Sequence, residues 1–233
     1  MKLHRFFVEQ SSQSGGHFSI VDEALLHQWK SVFRLGAGDR VILLDNTGDE
    51  FECEFEMLSK ENADLVIKEK RVSQNISKQN VNLYFSLIKK DNVEWVLQKC
   101  TELGVNHFFP IISERSEKKD INFERAKKII KESSEQSSRA VLPTLHEITD
   151  LSTALGNSVN PVVLHTEENG AGKELKIFAD TKDISIFIGP EGGWSPKEVL
   201  LFKEKKVPII RLGNQVLRAE TASVAVCALL LLD

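Results

Sequence analysis

The sequence predicts a chain of the α/β class in two parts: a small β-rich segment, then a larger domain of strands and helices around a parallel sheet. Three observations carry this. Through residue 72, apolar and alternating runs are separated by tight turns. From Val81 onward, strand-like runs alternate with helical stretches that carry their own start and stop residues. Between them, Ser73 to Asn80 is polar and offers little to a core, as a linker would.

In the first part, Asp22 to Trp29 has the composition of one short helix. Arg40 to Leu44 is a strand, Asp45-Asn46-Thr47-Gly48 a turn, and Glu50 to Leu58 a long alternating strand. Lys60-Glu61-Asn62 turns the chain again into a strand from Ala63 to Lys68. Short strands joined by tight turns predict a small barrel over residues 1–72.

In the second part, Val81 to Ile88 is a strand. Asp91 with Glu94 three residues on predicts a capping box, and Val93, Val96, Leu97, Cys100 and Leu103 form one stripe ending at Gly104. His107 to Ile112 is the next strand, and this order predicts a parallel βαβ unit. Phe123, Ala126, Ile130, Ser134 and Ser137 predict the narrow buried face of a lysine-rich helix. Strands follow at Pro161 to His165 and Ile184 to Ile188. Ser195-Pro196-Lys197-Glu198 combines a cap residue, a proline at the first position and a glutamate at the third. Ile209 to Leu212 is the last strand, and Thr221 to Leu232 a buried terminal helix.

With 233 residues, 41% hydrophobic and 27% charged, the chain has the composition of a globular protein rather than a disordered one. No run approaches the ~20 apolar residues that cross a bilayer, and the first residues lack the apolar core of a secretory signal, so a cytoplasmic location without membrane contact is expected. Three widely spaced cysteines suggest no disulfide framework, and six histidines without ligand spacing predict no metal. The net charge of −4 argues against a general nucleic-acid binder. Residues 76–145, however, carry 12 basic and 9 acidic side chains. That excess sits between Arg115 and Arg139, and either a solvated helix face or a phosphate-contacting patch accounts for it.

Two strand-to-helix loops stand where ligands bind in open α/β sheets. Gly189-Pro190-Glu191-Gly192-Gly193-Trp194 lets backbone approach a ligand, although a plain tight turn also explains it. It is neither a Walker A loop nor Gly-x-Gly-x-x-Gly. Leu212 to Ala222 holds Arg218 at a helix start, where a cation does not favour the helix, with Thr221 placed to cap it. A surface ion pair between Arg218 and Glu220 is the plainer reading. Ser113-Glu114-Arg115-Ser116, taken with Glu135-Gln136-Ser137-Ser138-Arg139, offers arginine forks suited to phosphate.

These segments together resemble the RsmE-type small-subunit ribosomal RNA methyltransferases of the SPOUT superfamily. The resemblance rests on Ile188 to Ser195, on Leu212-Gly213-x-x-Val216-Leu217-Arg218-x-Glu220-Thr221-Ala222, and on Gln98-Lys99-x-Thr101-Glu102-Leu103-Gly104-Val105. The Ser-Glu-Arg-Ser tetrapeptide, Glu135-Gln136-Ser137-x-Arg139, Arg5-Phe6-Phe7 and His27 to Asp39 extend it over nearly the whole chain. Gln215 stands where the family commonly has arginine, and Ser138 where it has glycine.

The resemblance implies a PUA-like β-barrel that helps hold RNA (1–72), a linker (73–80) and a SPOUT methyltransferase domain with a C-terminal trefoil knot (81–233). It implies S-adenosylmethionine as cofactor, no metal, a homodimer, and methylation of N3 of one uridine in 16S ribosomal RNA, with the 30S subunit as the expected setting. The cofactor is expected among Leu164, His165, Gly189, Pro190, Glu191, Gly192, Gly193, Leu212, Gly213, Asn214, Leu217, Thr221 and Ala222. Arg218 is expected to stabilise charge on the uracil, and Glu220 or Glu191 to orient the base or accept its proton. Arg5, Arg34, Arg115, Ser116, Gln136 and Arg139 are expected at the RNA. A different SPOUT methyltransferase, acting on transfer RNA or on a ribose hydroxyl, and a non-catalytic RNA-binding module are the competing readings.

Overall fold

The computed structural model describes residues 3–74, 79–166 and 181–232; positions 75–78 of the expected linker lie outside the described residues. The chain divides into two compact units: Met1–Ile76 with Ser134–Leu142, and Ser77–Ser133 with Pro143–Asp233.

The first unit is built on a six-stranded sheet in the order β1-β4-β5-β6-β3-β2, from β1 (Arg5–Phe7), β2 (Gln13–Ser14), β3 (His17–Ile20), β4 (Arg40–Leu44), β5 (Asp49–Leu58) and β6 (Ala63–Val72). Only the β1–β4 pair is parallel. β5 alternates as a half-buried strand must: Phe51, Cys53 and Phe55 face the core, while Glu52 and Glu54 reach Arg40 across the strand pair at 3.2 and 3.1 Å. Register shifts at Glu52/Cys53 and Phe55/Met57 let the long β5–β6 ribbon bend around that core. The short helix α1 (Glu23–His27) starts on Asp22, whose carboxylate accepts the Leu25 N–H, and a π-helical turn, Gln28–Val32, extends it and buries Trp29. The sequence pattern predicts neither that extension nor the first three strands.

The segment 134–142 also belongs to this unit. Glu135 accepts the Phe7 N–H at 2.9 Å, Asn46 accepts the Leu142 N–H at 2.7 Å, and Ala140 packs with Phe7, Ile42 and Leu44.

The second unit is a parallel sheet in the order β10-β8-β7-β12-β11-β13, with β9 also on β8. Its strands are β7 (Asn80–Ser86), β8 (His107–Ile112), β9 (Thr144–Leu145), β10 (Thr149–Asp150), β11 (Pro161–Leu164), β12 (Asp183–Ile188) and β13 (Ile209–Ile210). Central β12 is buried from Ile184 to Ile188, as expected of a strand covered on both faces. One face packs against α2 (Lys90–Leu103), α3 (Phe123–Ser137) and α6 (Ala219–Leu231). The other packs against α4 (Leu151–Asn157) and α5 (Pro196–Glu204).

Three local expectations are corrected. Helix α2 begins at Lys90 behind Lys89, so Asp91 lies inside its first turn and the expected capping box does not form. Glu94 instead binds Arg125 of α3 at 2.9 Å, a tertiary partner that local spacing cannot reveal. Helix α6 begins at Ala219 with Arg218 as its cap residue, which puts Thr221 within the helix rather than at its cap. That helix is buried along one face only: Val226 and Cys227 are inside and Leu229 is exposed.

Candidate functional site

Strands β7, β12, β11 and β13 are adjacent and parallel, so the loops leaving their carboxyl ends gather at one edge. After β7 the chain moves to β8 on one side; after β12 it moves towards β13 on the other. That reversal is where open α/β sheets leave a crevice. Here it holds a cavity of about 630 Å³, walled by residues 189–194 and by much of 211–222, with Lys89, Asn92, Leu164 and His165 completing it.

The loop after β12 is braced from several directions. The Trp194 indole is buried and donates to the Leu164 carbonyl at 2.9 Å. A Cβ on Gly189 would stand 3.1 Å from that indole, so this glycine serves the packing of Trp194. Gly193 has φ +68, a left-handed conformation that closes the turn in which its N–H reaches the Pro190 carbonyl at 2.8 Å. Ser195 and Glu198 form both halves of the expected capping box at the start of α5. Glu198 Oε1 also accepts the Glu114 N–H at 2.8 Å, and the Ser195 hydroxyl donates to the Glu114 carboxylate. Arg115 Nη1 donates to the Gly192 carbonyl at 2.8 Å and the Trp194 carbonyl at 3.4 Å.

The loop after β13 is built more lightly. Arg211 Nη2 donates to the Asn214 carbonyl at 2.7 Å, and Gly213 turns the chain with φ +67. Residues 213–216 are exposed. Arg218, exposed as well, precedes the free N–H groups of the first turn of α6, and no side chain caps them. Among the described residues no ion pair joins Arg218 to Glu220. Among the described residues, Glu220 Oε2 and Arg211 Nε are both buried without a hydrogen-bond partner.

The structure brings most of the predicted cofactor residues to the cavity: Leu164, His165, Gly189, Pro190, Glu191, Gly192, Gly193, Leu212, Leu217 and Ala222 line it, with Arg218. Gly213, Asn214, Glu220 and Thr221 are not in its wall. Glu191 accepts the Lys89 N–H at 3.3 Å. Sequence reasoning missed Lys89, Asn92 and Arg211, although the first two follow a strand end and the third opens the second loop. Of the residues predicted for RNA, Arg115 and Ser116 lie in the second unit and Arg5, Arg34, Gln136 and Arg139 in the first. Ser116 Oγ closes its own turn, 2.8 Å from Ser113 Oγ. Arg34 and Gln136 are exposed. Arg5 lies 3.5 Å from Glu50, and Arg139 is mostly buried, which lowers its pKa to about 10. Among the described residues no group of three or more His, Cys, Asp or Glu side chains gathers as metal ligands do, and no helix is long and apolar enough to cross a membrane.

Comparison with known proteins agrees with this geometry. Residues 75–231 match the family model of an RNA methyltransferase domain, and residues 30–68 that of an RNA methyltransferase PUA domain. Ribosomal RNA small subunit methyltransferase E of Bacillus subtilis is 30% identical over 238 residues, covering 94% of this chain and 93% of the relative. The protein of that name from Rickettsia conorii is 27% identical over 232 residues, covering 98% and 95%. Among solved structures, ribosomal RNA small subunit methyltransferase E of Neisseria gonorrhoeae bound to S-adenosylmethionine superposes with TM-score 0.87 at 25% identity, covering 98% of this chain and 96% of that one. A putative methyltransferase of Legionella pneumophila with bound cofactor gives TM-score 0.89 at 25% identity, covering 99% and 97%. The fold of the second unit is that of the SPOUT methyltransferases.

Proposed function

The chain belongs to the ribosomal RNA small subunit methyltransferase E family, and from that premise we propose that its cavity receives S-adenosylmethionine and that its product is 3-methyluridine at a single position of 16S ribosomal RNA. The observation that carries this reading is the cavity itself, at the carboxyl edge of four parallel strands and walled by two glycine-bearing loops. Its volume of about 630 Å³ falls within the range of small-molecule sites, roughly 300–1,000 Å³. The cofactor fits these residues chemically: Gly192 and Gly193 expose main chain, Leu164, Leu212 and Leu217 supply apolar wall, and the Arg211 Nε donor has no partner among the described residues.

When bound, S-adenosylmethionine supplies a methyl group on a positively charged sulfur. The chain's own side chains then have separate tasks. Uracil N3 carries a proton on its pairing edge, so the base must be unpaired before it can react. Arg218, exposed at the mouth, stabilises the negative charge that develops on the uracil as that proton leaves. Glu220, two positions on, whose buried Oε2 has no hydrogen-bond partner among the described residues, or Glu191 at the wall orients the base or accepts the proton. Phosphate contacts fall to Arg34 and Arg115, with Ser116 next to Arg115 in sequence and the exposed Gln136 also available. The same role for Arg5 and Arg139 requires them to reach outward from where they are now engaged.

The proposal includes a trefoil knot in the second unit, a cytoplasmic location and a homodimer. The exposed Leu229 and Leu232 at the end of α6 are apolar positions suited to a partner copy.

Mass spectrometry of nucleosides from 16S RNA of a deletion strain tests the reading. Loss of 3-methyluridine, restored by the intact gene, is expected. Loss of a different methylated nucleoside instead points to another SPOUT activity, and an unchanged profile without a binding heat for S-adenosylmethionine points to a non-catalytic RNA-binding module.

A further inference from the structure

The Ser113-Glu114-Arg115-Ser116 turn follows β8, and its polar groups are directed at the glycine loop rather than only at solvent. The Ser113 and Ser116 hydroxyls lie 2.8 Å apart, and Ser116 Oγ accepts the Ser113 N–H at 3.1 Å, which closes the turn. The closed turn presents the Glu114 N–H to Glu198, the Glu114 carboxylate to the Ser195 hydroxyl, and Arg115 Nη1 to the carbonyls of Gly192 and Trp194. Those two carbonyls flank Gly193, the residue with φ +68 that gives the loop its shape. The Arg115 stem covers Gly192, where an added Cβ would meet Arg115 Cβ and Cδ at 3.5 Å. Arg115 is nevertheless exposed, and among the described residues its Nε and Nη2 have no hydrogen-bond partner.

We propose that Arg115 is a positioning residue for the cofactor: Nη1 sets the shape of the glycine loop before RNA arrives, and the outer edge of the same guanidinium is left for an RNA phosphate. A residue that served RNA alone would need none of the bonds to Gly192 and Trp194. This inference rests on the cofactor reading given above and deepens it by naming what holds the first loop. Arginine suits both tasks because its planar fork offers donors in two directions, whereas lysine offers one compact charge.

Calorimetry of the full chain with S-adenosylmethionine and no RNA tests the inference. Arg115→Ala is expected to raise Kd about tenfold, the effect of losing one charge-assisted hydrogen bond to a loop carbonyl. Arg115→Lys, which keeps the charge and the fold, is expected to raise Kd in the same direction by about threefold. With RNA present, Arg115→Ala is expected to raise KM for S-adenosylmethionine by about the same factor as Kd, and to raise KM for RNA as well because the outer edge of the guanidinium is gone. Wild type without a binding heat overturns the cofactor reading, and this inference with it. Wild-type binding with unchanged affinity in both variants overturns the inference alone.

Discussion

The two loops that face each other across the cavity leave parallel strands on either side of β11, contain glycines and lead into helices, yet they are built in opposite ways. The loop after β12 is tied down by a buried indole, a complete capping box and a second turn bonded to it through Glu114 and Arg115. Among the described residues, the loop after β13 leaves residues 213–216 exposed, has one side-chain bond from Arg211 to Asn214, and enters its helix with no side-chain cap. Local stability follows buried contacts and satisfied backbone groups. One wall of the cavity is therefore fixed before any ligand arrives, and the other can adjust to it. For a site proposed to accept both a small cofactor and a base drawn from a large RNA, that division gives a rigid half to set geometry and a yielding half to admit the substrate.

The largest expected effect comes from emptying the fixed wall. Trp194 is 3% exposed, packs edge-on against Phe202 at 5.0 Å and donates to Leu164. Trp194→Ala is expected to destabilise the chain by about 3–5 kcal/mol, the usual range for a deleted buried aromatic. Urea denaturation followed by far-ultraviolet circular dichroism reads it. A loss below about 1 kcal/mol shows that the first loop does not depend on its indole, and the contrast between the walls fails.

A smaller effect tests the cap. Ser195→Ala removes the acceptor for the Glu198 N–H and the hydroxyl bound to Glu114. The expected cost is about 1 kcal/mol, within the 0.5–2 kcal/mol seen for helix caps, and the amides around Gly193 should lose protection from hydrogen exchange more than those around Asn214. Equal loss at both places means that the loops open together.

Much of this was legible in the sequence wherever the signal is local. Ser195-Pro196-x-Glu198 announces its helix because the cap residue, the fixed φ of proline and the returning glutamate all act within one turn. Gly104 and the Asp45–Gly48 turn were likewise readable, since φ of +116 and +99 at the two glycines is a property of single residues. The loops at the strand ends could be found because a parallel sheet puts its carboxyl ends at one edge. What was hidden is long-range. Glu94 makes a sound capping-box pattern with Asp91, yet it pairs with Arg125 across two helices. Glu135 lies in the last turn of α3 and Arg139 just past its end, yet both belong to the first unit, where Glu135 accepts the Phe7 N–H from 128 positions away. The bonds from Arg115 to the Gly192 and Trp194 carbonyls were hidden too, because an arginine reads the same in sequence whichever acceptor the fold brings to it.

The smallest expected effect on stability lies in the adjustable wall, and it separates the two roles most cleanly. Val216 is 74% exposed yet contributes to the cavity lining, so its apolar surface stays in water until something settles against it. An exposed side chain free of caps, ion pairs and buried contacts changes folding stability by no more than about 0.5 kcal/mol when replaced. Val216→Ser is therefore expected to leave the urea midpoint in place. If binding buries that side chain, the lost transfer energy is at most about 1.5 kcal/mol, or roughly a tenfold rise in Kd. Calorimetry with S-adenosylmethionine, and separately RNA binding at fixed salt, shows which ligand does the burying. A fall in midpoint as large as that of Ser195→Ala means the second loop carries contacts as firm as the first, and the two walls are then alike.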